Sequence, residues 1–221
     1  MTTLSSITTD PTVAILAPLP ESLIYRSAWG YGLAMRVLYG RYYGARDAAV
    51  AAHVPDGASV LELCCGPARL YLRELRGRTG SYVGLDCSAG FVDRLRRYGV
   101  DARRADVATA DLPAADVVVM QASLYHFLPE ARAAAMIERM RAAAHDRVVI
   151  SEPVRNLASS RLGVVARLAA GGAATGDGVQ AQRFDAASLR ALMERFGPAV
   201  LHAAPAPGGR EHVYVLAGAA R

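Results

Sequence analysis

The segment from residue 58 to residue 70 constrains the fold of this chain more than any other stretch. It reads Ala-Ser-Val-Leu-Glu-Leu-Cys-Cys-Gly-Pro-Ala-Arg-Leu, in which an apolar run carries one acid, Glu62, and breaks into small residues around Gly66. A leucine-rich segment with helical spacing follows. The pattern predicts a buried parallel strand, a tight turn and the start of a helix, a geometry that brings backbone amides close to a nucleotide-like ligand. The dinucleotide-binding pattern Gly-x-Gly-x-x-Gly is absent, which disfavours a nicotinamide or flavin cofactor.

The rest of the chain alternates strand and helix patterns, which predicts a doubly wound, mostly parallel sheet. A short link separates the last two predicted strands, so these two must run antiparallel to each other. The predicted strands are 59–63, 82–86, 102–105, 117–121, 147–151, 199–204 and 211–217. The predicted helical segments are 21–54 with breaks near Gly40 and Gly44, then 90–98, 129–144, 156–168, and a last helix that Asp185 caps and that ends at Gly197. A flexible Gly/Ala loop is expected at 171–178.

The length of the chain indicates one domain. With 221 residues the chain is long enough for one α/β domain with a full core and too short for two. We expect residues 1–57 to form an N-terminal tail and a helical cap, and residues 58–221 to form the α/β core. The N-terminus has no signal-peptide pattern, and no apolar run approaches the ~20 residues of a membrane span. These features predict a cytoplasmic protein without a membrane partner.

Charge and cysteine content exclude several kinds of chemistry. The 25 Lys and Arg positions contain no lysine, which excludes Schiff-base catalysis. Arginine and alanine richness is typical of a GC-rich genome, so the net charge of +5 does not indicate a nucleic-acid partner. The cysteines, Cys64, Cys65 and Cys87, have neither a disulfide pattern nor zinc-ligand spacing. We expect them to be small buried residues.

Two acids stand where predicted strands end, which is where ligands of open α/β sheets bind. Asp86 ends the second predicted strand, and a carboxylate there can accept hydrogen bonds from both hydroxyls of a ribose. The alternative is that Asp86 or Ser88 caps the following helix. Asp106 follows the third predicted strand, and its alternative role is that of a surface turn residue.

Together with the acids at the next two strand ends, the turn after the first strand resembles motif I of the class I S-adenosylmethionine (SAM) methyltransferases. In that family an acid is followed by Gly-x-Gly-x-Gly, and this chain reads Glu62-x-Cys64-x-Gly66-x-Ala68. The resemblance implies SAM as cofactor, S-adenosylhomocysteine (SAH) as product, and a seven-stranded α/β/α sandwich with an antiparallel last strand under an N-terminal helical cap. The cofactor-binding residues that it implies are Glu62, Cys64, Gly66, Ala68, Asp86, Cys87, Asp106, Val107 and Gln121.

The resemblance also implies individual roles. Asp86 would bind the SAM ribose, and Asp106 with the backbone amide of Val107 would bind the adenine. Because Cys64 carries a Cβ where the family has glycine, we expect its backbone to avoid positive φ. Ala68 narrows the space beside the methionine part of the cofactor.

Residues 120–129 follow the fourth predicted strand, and this segment lines the methyl-transfer pocket in that family. The Asn/Asp-Pro-Pro-Tyr motif of base-modifying aminomethyltransferases is absent, and Gln121 stands where magnesium-dependent catechol enzymes carry an acid, so we expect no metal. His126 is a candidate general base, because an ordinary imidazole pKa of ~6.5 suits proton removal at neutral pH. The alternative is a packed histidine without a catalytic role. Tyr125 and Glu152 are competing candidates.

Aromatic residues near the N-terminus are candidates for the acceptor pocket, since aromatic walls favour a sulfonium cation and an organic acceptor. We expect Tyr25, Trp29 and Tyr31 to contact the substrate, with core packing as the alternative for most aromatics of this segment. The resemblance therefore predicts methyl transfer to an oxygen or nitrogen of a small organic molecule, compatible with specialised metabolite biosynthesis. The alternatives are a SAM- or SAH-binding protein that does not methylate, and an RNA or protein methyltransferase.

Overall fold

The computed structural model describes residues 42–154 and 183–219, and these ranges contain one seven-stranded sheet. Its strands are β1 (Ser59–Leu63), β2 (Ser81–Asp86), β3 (Ala102–Arg104), β4 (Ala115–Gln121), β5 (Ala144–Pro153), β6 (Val200–Pro205) and β7 (Glu211–Ala217). They lie in the order β3-β2-β1-β4-β5-β7-β6. The first five pair in parallel, whereas β7 runs antiparallel to both of its neighbours. The predicted sheet and the antiparallel final pair are confirmed.

Helices cover both faces of the sheet. Within the described ranges the α-helices are α1 (Tyr42–Ala51), α2 (Ala89–Arg97), α3 (Glu130–Ala143) and α4 (Ala186–Glu194). A π-helical turn spans Tyr71–Leu75, and 3₁₀ turns span Leu124–Phe127 and Gly197–Ala199. The central strands are apolar on both sides, so they bury one face against α3 and α4 and the other against α1 and α2. This double burial gives the α/β/α sandwich.

Two predicted helix boundaries are wrong. Gly44 does not break the helical segment but lies inside α1, and the space beside it is filled by Arg69, whose guanidinium nitrogen lies 3.7 Å from an ideal Cβ at that glycine. The last helix ends at Glu194 rather than at Gly197, where a separate 3₁₀ turn begins. Its start is as predicted, because Asp185 and Ser188 form a reciprocal capping box.

Several predictions fall on residues that are not described. These are the helical pattern at 21–41, the helix at 156–168 and the loop at 171–178. Across the described part of the chain, no helix has both the length and the apolar character needed to cross a membrane.

Candidate active site

The turn after β1 takes an unusual backbone path. Cys64, Gly66 and Ala68 have φ angles of 53°, 51° and 48°, so every second residue is left-handed. The prediction that Cys64 avoids positive φ is therefore wrong. Long-range contacts hold this conformation: the Cys65 amide donates to the Leu85 carbonyl (3.1 Å). A residue with a Cβ loses about 1–2 kcal/mol in this region, and the surrounding structure must offset that cost.

Gly66 meets the requirements for a close approach by a ligand. Among the described residues, leaving aside its two chain neighbours, no heavy atom lies within 4 Å of an ideal Cβ at this position, so these residues leave space beside the backbone. Its positive φ independently favours glycine. The neighbouring Gly84 is required for a different reason, because a Cβ there would lie 2.8 Å from the Cys65 sulfur.

Asp86 links the turn to the end of β2. Its carboxylate accepts hydrogen bonds from the amide of Gly66 at Oδ2 (2.7 Å) and from the amide of Ser88 at Oδ1 (2.8 Å). Ser88 is the residue that caps α2, since its hydroxyl accepts from the Phe91 amide (3.5 Å). The helix-cap role predicted as an alternative therefore belongs to Ser88. The two amides together fix the orientation of the Asp86 carboxylate at the end of β2.

The end of β3 leads into a tight turn. Asp106 is half-buried and accepts from the Ala108 amide at 2.9 Å, so its carboxylate forms the turn that was predicted as its alternative role. Val107 is buried in the core beside α3. Cys87 is exposed, so its predicted burial is wrong; it follows the last residue of β2, where the chain leaves the sheet. Cys64 is partly buried and Cys65 fully buried.

Glu62 lies beneath the turn rather than at its surface. Its side chain is 3% exposed and accepts a hydrogen bond from the Tyr82 hydroxyl (2.7 Å). Burial raises the pKa of Glu62 to about 8, although the Tyr82 hydrogen bond acts in the opposite direction. The predicted contact of Glu62 with a cofactor stays a prediction, and its direct partner in the structure is Tyr82.

A chain of buried charges connects Arg69, Asp47, Arg46 and Glu211, and sequence reasoning missed it. Arg69 Nε lies 2.6 Å from Asp47 Oδ2, and Arg46 lies 3.7 Å from Asp47 and 3.4 Å from Glu211. Glu211 accepts from the Ser151 hydroxyl (2.6 Å). The chain connects α1, the turn, β5 and β7. The one sequence feature that could have indicated this chain of charges is the presence of charged residues within otherwise apolar segments.

Gln121 ends β4 at the same edge of the sheet. Its side-chain nitrogen is buried and has no hydrogen-bond partner among the described residues. The next residue, Ala122, has a φ of 50°, and its amide donates to the Ser151 carbonyl (2.7 Å). A buried donor without a partner is costly unless a ligand or water satisfies it. Gln121 therefore fits a polar group of a bound cofactor.

The 3₁₀ turn at Leu124–Phe127 brings together the predicted acceptor-side residues. Glu152 is the next-to-last residue of β5 and accepts from the Leu124 amide (2.9 Å), with a second hydrogen bond from the Tyr125 amide. Burial raises the pKa of Glu152 to about 8, while these hydrogen bonds oppose the shift. The Glu152 carboxyl therefore holds the turn in place.

Tyr125 and His126 lie side by side on this turn, with ring centroids 4.0 Å apart. The guanidinium carbon of Arg183 lies 4.0 Å from the centroid of the buried Tyr125 ring. His126 is exposed by surface area, yet the protein packed around its ring desolvates the imidazolium. This desolvation, with repulsion from Arg183 as the smaller cause, lowers the pKa of His126 to about 4. The predicted substrate residues Tyr25, Trp29 and Tyr31 lie outside the described residues.

Solved structures similar to this chain share its fold. DhpI in complex with SAH is 21% identical, with a TM-score of 0.65 over 89% of this chain and 94% of that chain. Magnesium protoporphyrin IX methyltransferase (ChlM) from Synechocystis PCC 6803, with bound SAH, is 19% identical, with a TM-score of 0.57 over 87% and 95%. A chain from the complex of the Haloferax volcanii Trm112 methyltransferase activator with a methyltransferase is 14% identical, with a TM-score of 0.64 over 88% and 97%.

These neighbours define the class as the Rossmann-like fold of SAM-dependent methyltransferases. Residues 60–146 match the family model described as "Methyltransferase domain", which contains β1, the turn and Asp86. The chain therefore has the fold of these methyltransferases, and its residues 60–146 are similar to a methyltransferase domain. The comparison with curated proteins returns no match.

Proposed function

We propose that the protein transfers a methyl group from SAM to an oxygen or nitrogen of a small organic molecule. The observation that carries this proposal is the paired arrangement of Asp86 and Gly66 beside space that the described residues leave open. It is a carboxylate and a glycine backbone at the carboxyl ends of two adjacent parallel strands, where open α/β sheets bind their ligands.

The residues present fit the cofactor in stated ways. Asp86 would accept the ribose hydroxyls, Asp106 and the Val107 amide would hold the adenine, and the turn around Gly66 would lie against the methionine part. The buried Gln121 nitrogen supplies a donor that has no partner among the described residues. SAM supplies an activated methyl group on a sulfonium; the protein supplies position, since alignment alone contributes much of the rate in such transfers.

On the acceptor side we propose different roles for the three predicted catalytic residues. Tyr125 and His126 would contact the acceptor. Glu152 would position them, because its carboxyl is 1% exposed and holds the backbone of their turn. His126 is neutral at pH 7, since its pKa is lowered to about 4, and it is a weak base.

A small-molecule acceptor is supported by one structural neighbour, which is named for its action on magnesium protoporphyrin IX. Another neighbour was solved with a protein activator, so a protein partner is the second candidate. The single-domain organisation, the cytoplasmic location and the absence of a nucleic-acid partner stay predictions.

The test is thermal unfolding with SAM, SAH and NAD, followed by transfer of tritiated methyl from SAM. A ligand at a hundredfold excess over Kd stabilises the folded state by about 2.7 kcal/mol. SAM and SAH should raise Tm by about 5–10 °C in a chain of this size, and NAD should not. Absence of any shift with SAM and SAH would overturn the proposal, and stabilisation without methyl transfer to any acceptor would favour the non-methylating alternative.

A further inference from the structure

Arg183 is a positive charge on the acceptor side that no described carboxylate neutralises. It is half-buried, and its guanidinium stacks on the Tyr125 ring at 4.0 Å. Among the described residues no carboxylate lies within ion-pair distance of it. The two arginines on the opposite face, Arg46 and Arg69, by contrast both contact Asp47.

Glu152 interacts electrostatically with Arg183, but its carboxyl is committed to other partners. Its Oε2 accepts from the Leu124 amide, and it is buried beneath the turn. Because burial raises the pKa of Glu152 to about 8, this residue is mostly protonated at pH 7 and does not balance the charge of Arg183. The stacked guanidinium thus retains donors and charge for a ligand.

The same turn offers little general-base capacity. Glu152 is bound to backbone amides, and His126, with its lowered pKa, holds a proton weakly. An alcohol, or an amine that is protonated at neutral pH, must lose a proton to be methylated, and the described residues of this turn are poorly suited to take it. A carboxylic acid is already ionised at neutral pH, so its oxygen needs no base.

We propose that the acceptor is a small organic acid whose carboxylate is bound by Arg183 and is itself the methylated group. This inference rests on the proposed methyltransferase function. A carboxylate lone pair forms the new O–CH3 bond while the S–CH3 bond of SAM breaks and sulfur keeps the bonding pair. No proton is transferred, and the products are a neutral methyl ester and SAH. Guanidinium and carboxylate match in planar geometry, which favours arginine for this recognition.

The test compares matched ligands on the full chain saturated with SAH. Benzoate, phenylacetate, cinnamate and octanoate are each paired with the corresponding primary amide, which has nearly the same shape and no charge. In the wild type we expect the acids as a class to raise Tm by about 3–6 °C at roughly ten times their Kd, and the amides to shift it less. Arg183→Gln should remove the difference, and Arg183→Lys should keep part of it.

Arg190→Gln is the matched control, because it removes one positive charge from an exposed position on α4 and should leave the acid preference unchanged. Any acid that is turned over must yield a product whose tritium label is released by mild alkali as methanol. Equal shifts by acids and amides, no shift by either class at about 10 mM while SAH still stabilises, or an alkali-stable label would each overturn the inference. If SAH itself fails to stabilise the protein, the proposed function falls and the inference with it.

Discussion

The carboxylate of Asp86 and the backbone amide of Gly66 share a hydrogen bond of 2.7 Å that joins the end of β2 to the turn after β1. The second carboxylate oxygen is held by the Ser88 amide, so the side chain is fixed from two sides. This arrangement presets both the left-handed turn and the orientation of the carboxylate before any ligand binds. Preorganisation of this kind reduces the cost of binding.

Asp86→Asn is expected to weaken SAH binding by about 10- to 100-fold, because hydrogen bonds to a charged acceptor contribute about 1.5–3 kcal/mol and the amide lacks that charge. Isothermal titration with SAH measures the effect. Asp93→Asn, an exposed position on α2, is the matched control and should bind SAH as the wild type does. Unchanged affinity in Asp86→Asn would remove this residue from the cofactor site.

The sheet could be predicted from the sequence because its strands are short apolar runs separated by helical periods. The left-handed turn could not, since Cys64 and Ala68 both carry a Cβ, and the Cys65 amide that follows Cys64 is held by the distant Leu85 carbonyl. Glu152 lies near the end of β5, and the Leu124 amide that donates to it is 28 residues away in sequence. Its role as a base stays a prediction. Contacts of this separation leave no local pattern.

The pairing of Asp47 with Arg69 also leaves no local sequence pattern, because the two residues belong to different elements and meet only after the sheet forms. The cation over Tyr125 is likewise contributed by Arg183, which is remote in sequence. Sequence patterns thus locate the strand ends where chemistry occurs, whereas the charge balance of the site depends on tertiary contacts.

Replacing Ala68 with glycine should lower the free energy of unfolding far less than the same replacement at an ordinary buried alanine. The left-handed φ of Ala68 costs about 1–2 kcal/mol, and glycine removes that cost while losing one methyl group worth about 0.8 kcal/mol. The net change in the free energy of unfolding should lie within about 1 kcal/mol of zero. Ala133→Gly is the comparison, since this residue is equally buried in α3 but helical, and it should lose about 1.5–2 kcal/mol.

Urea unfolding of the two variants, with SAH binding as a second readout, checks this difference. The SAH affinity of Ala68→Gly should stay close to that of the wild type, because the turn keeps the same backbone conformation. A loss in Ala68→Gly as large as in Ala133→Gly would show that the positive φ of this turn carries no cost.

Asp47→Asn should be strongly destabilising. Burial raises the pKa of Asp47, but Arg46 and Arg69 act in the opposite direction, and removing the charge leaves two largely buried guanidinium groups with a neutral neighbour. Breaking such a buried network costs about 3–5 kcal/mol. Asp146→Asn breaks an exposed ion pair and should cost less than about 1 kcal/mol. Urea unfolding midpoints of the two variants distinguish these effects, and similar losses would mean that the buried chain contributes no more than a surface pair.

The stability of the protein should fall as pH rises from 7 to 8. Burial raises the pKa of Glu62 and of Glu152 from the ordinary value of 4.5 to about 8, so in this range the native state holds protons that the unfolded chain has released. Each carboxyl should remove about 1 kcal/mol of stability between pH 7 and pH 8. The lowered pKa values of His53, His126 and His212 have the opposite sign, but they act only below about pH 7, where the unfolded chain binds those protons.

Glu62→Gln isolates one of these two contributions, because glutamine still accepts the Tyr82 hydrogen bond but does not ionise. In urea unfolding at pH 7 and pH 8, this variant should show about half the wild-type loss of stability. Glu138→Gln, at an exposed position on α3, should keep the full loss. A Glu62→Gln variant with the wild-type pH dependence would mean that Glu62 ionises without cost, and that its burial beneath the turn does not hold the proton.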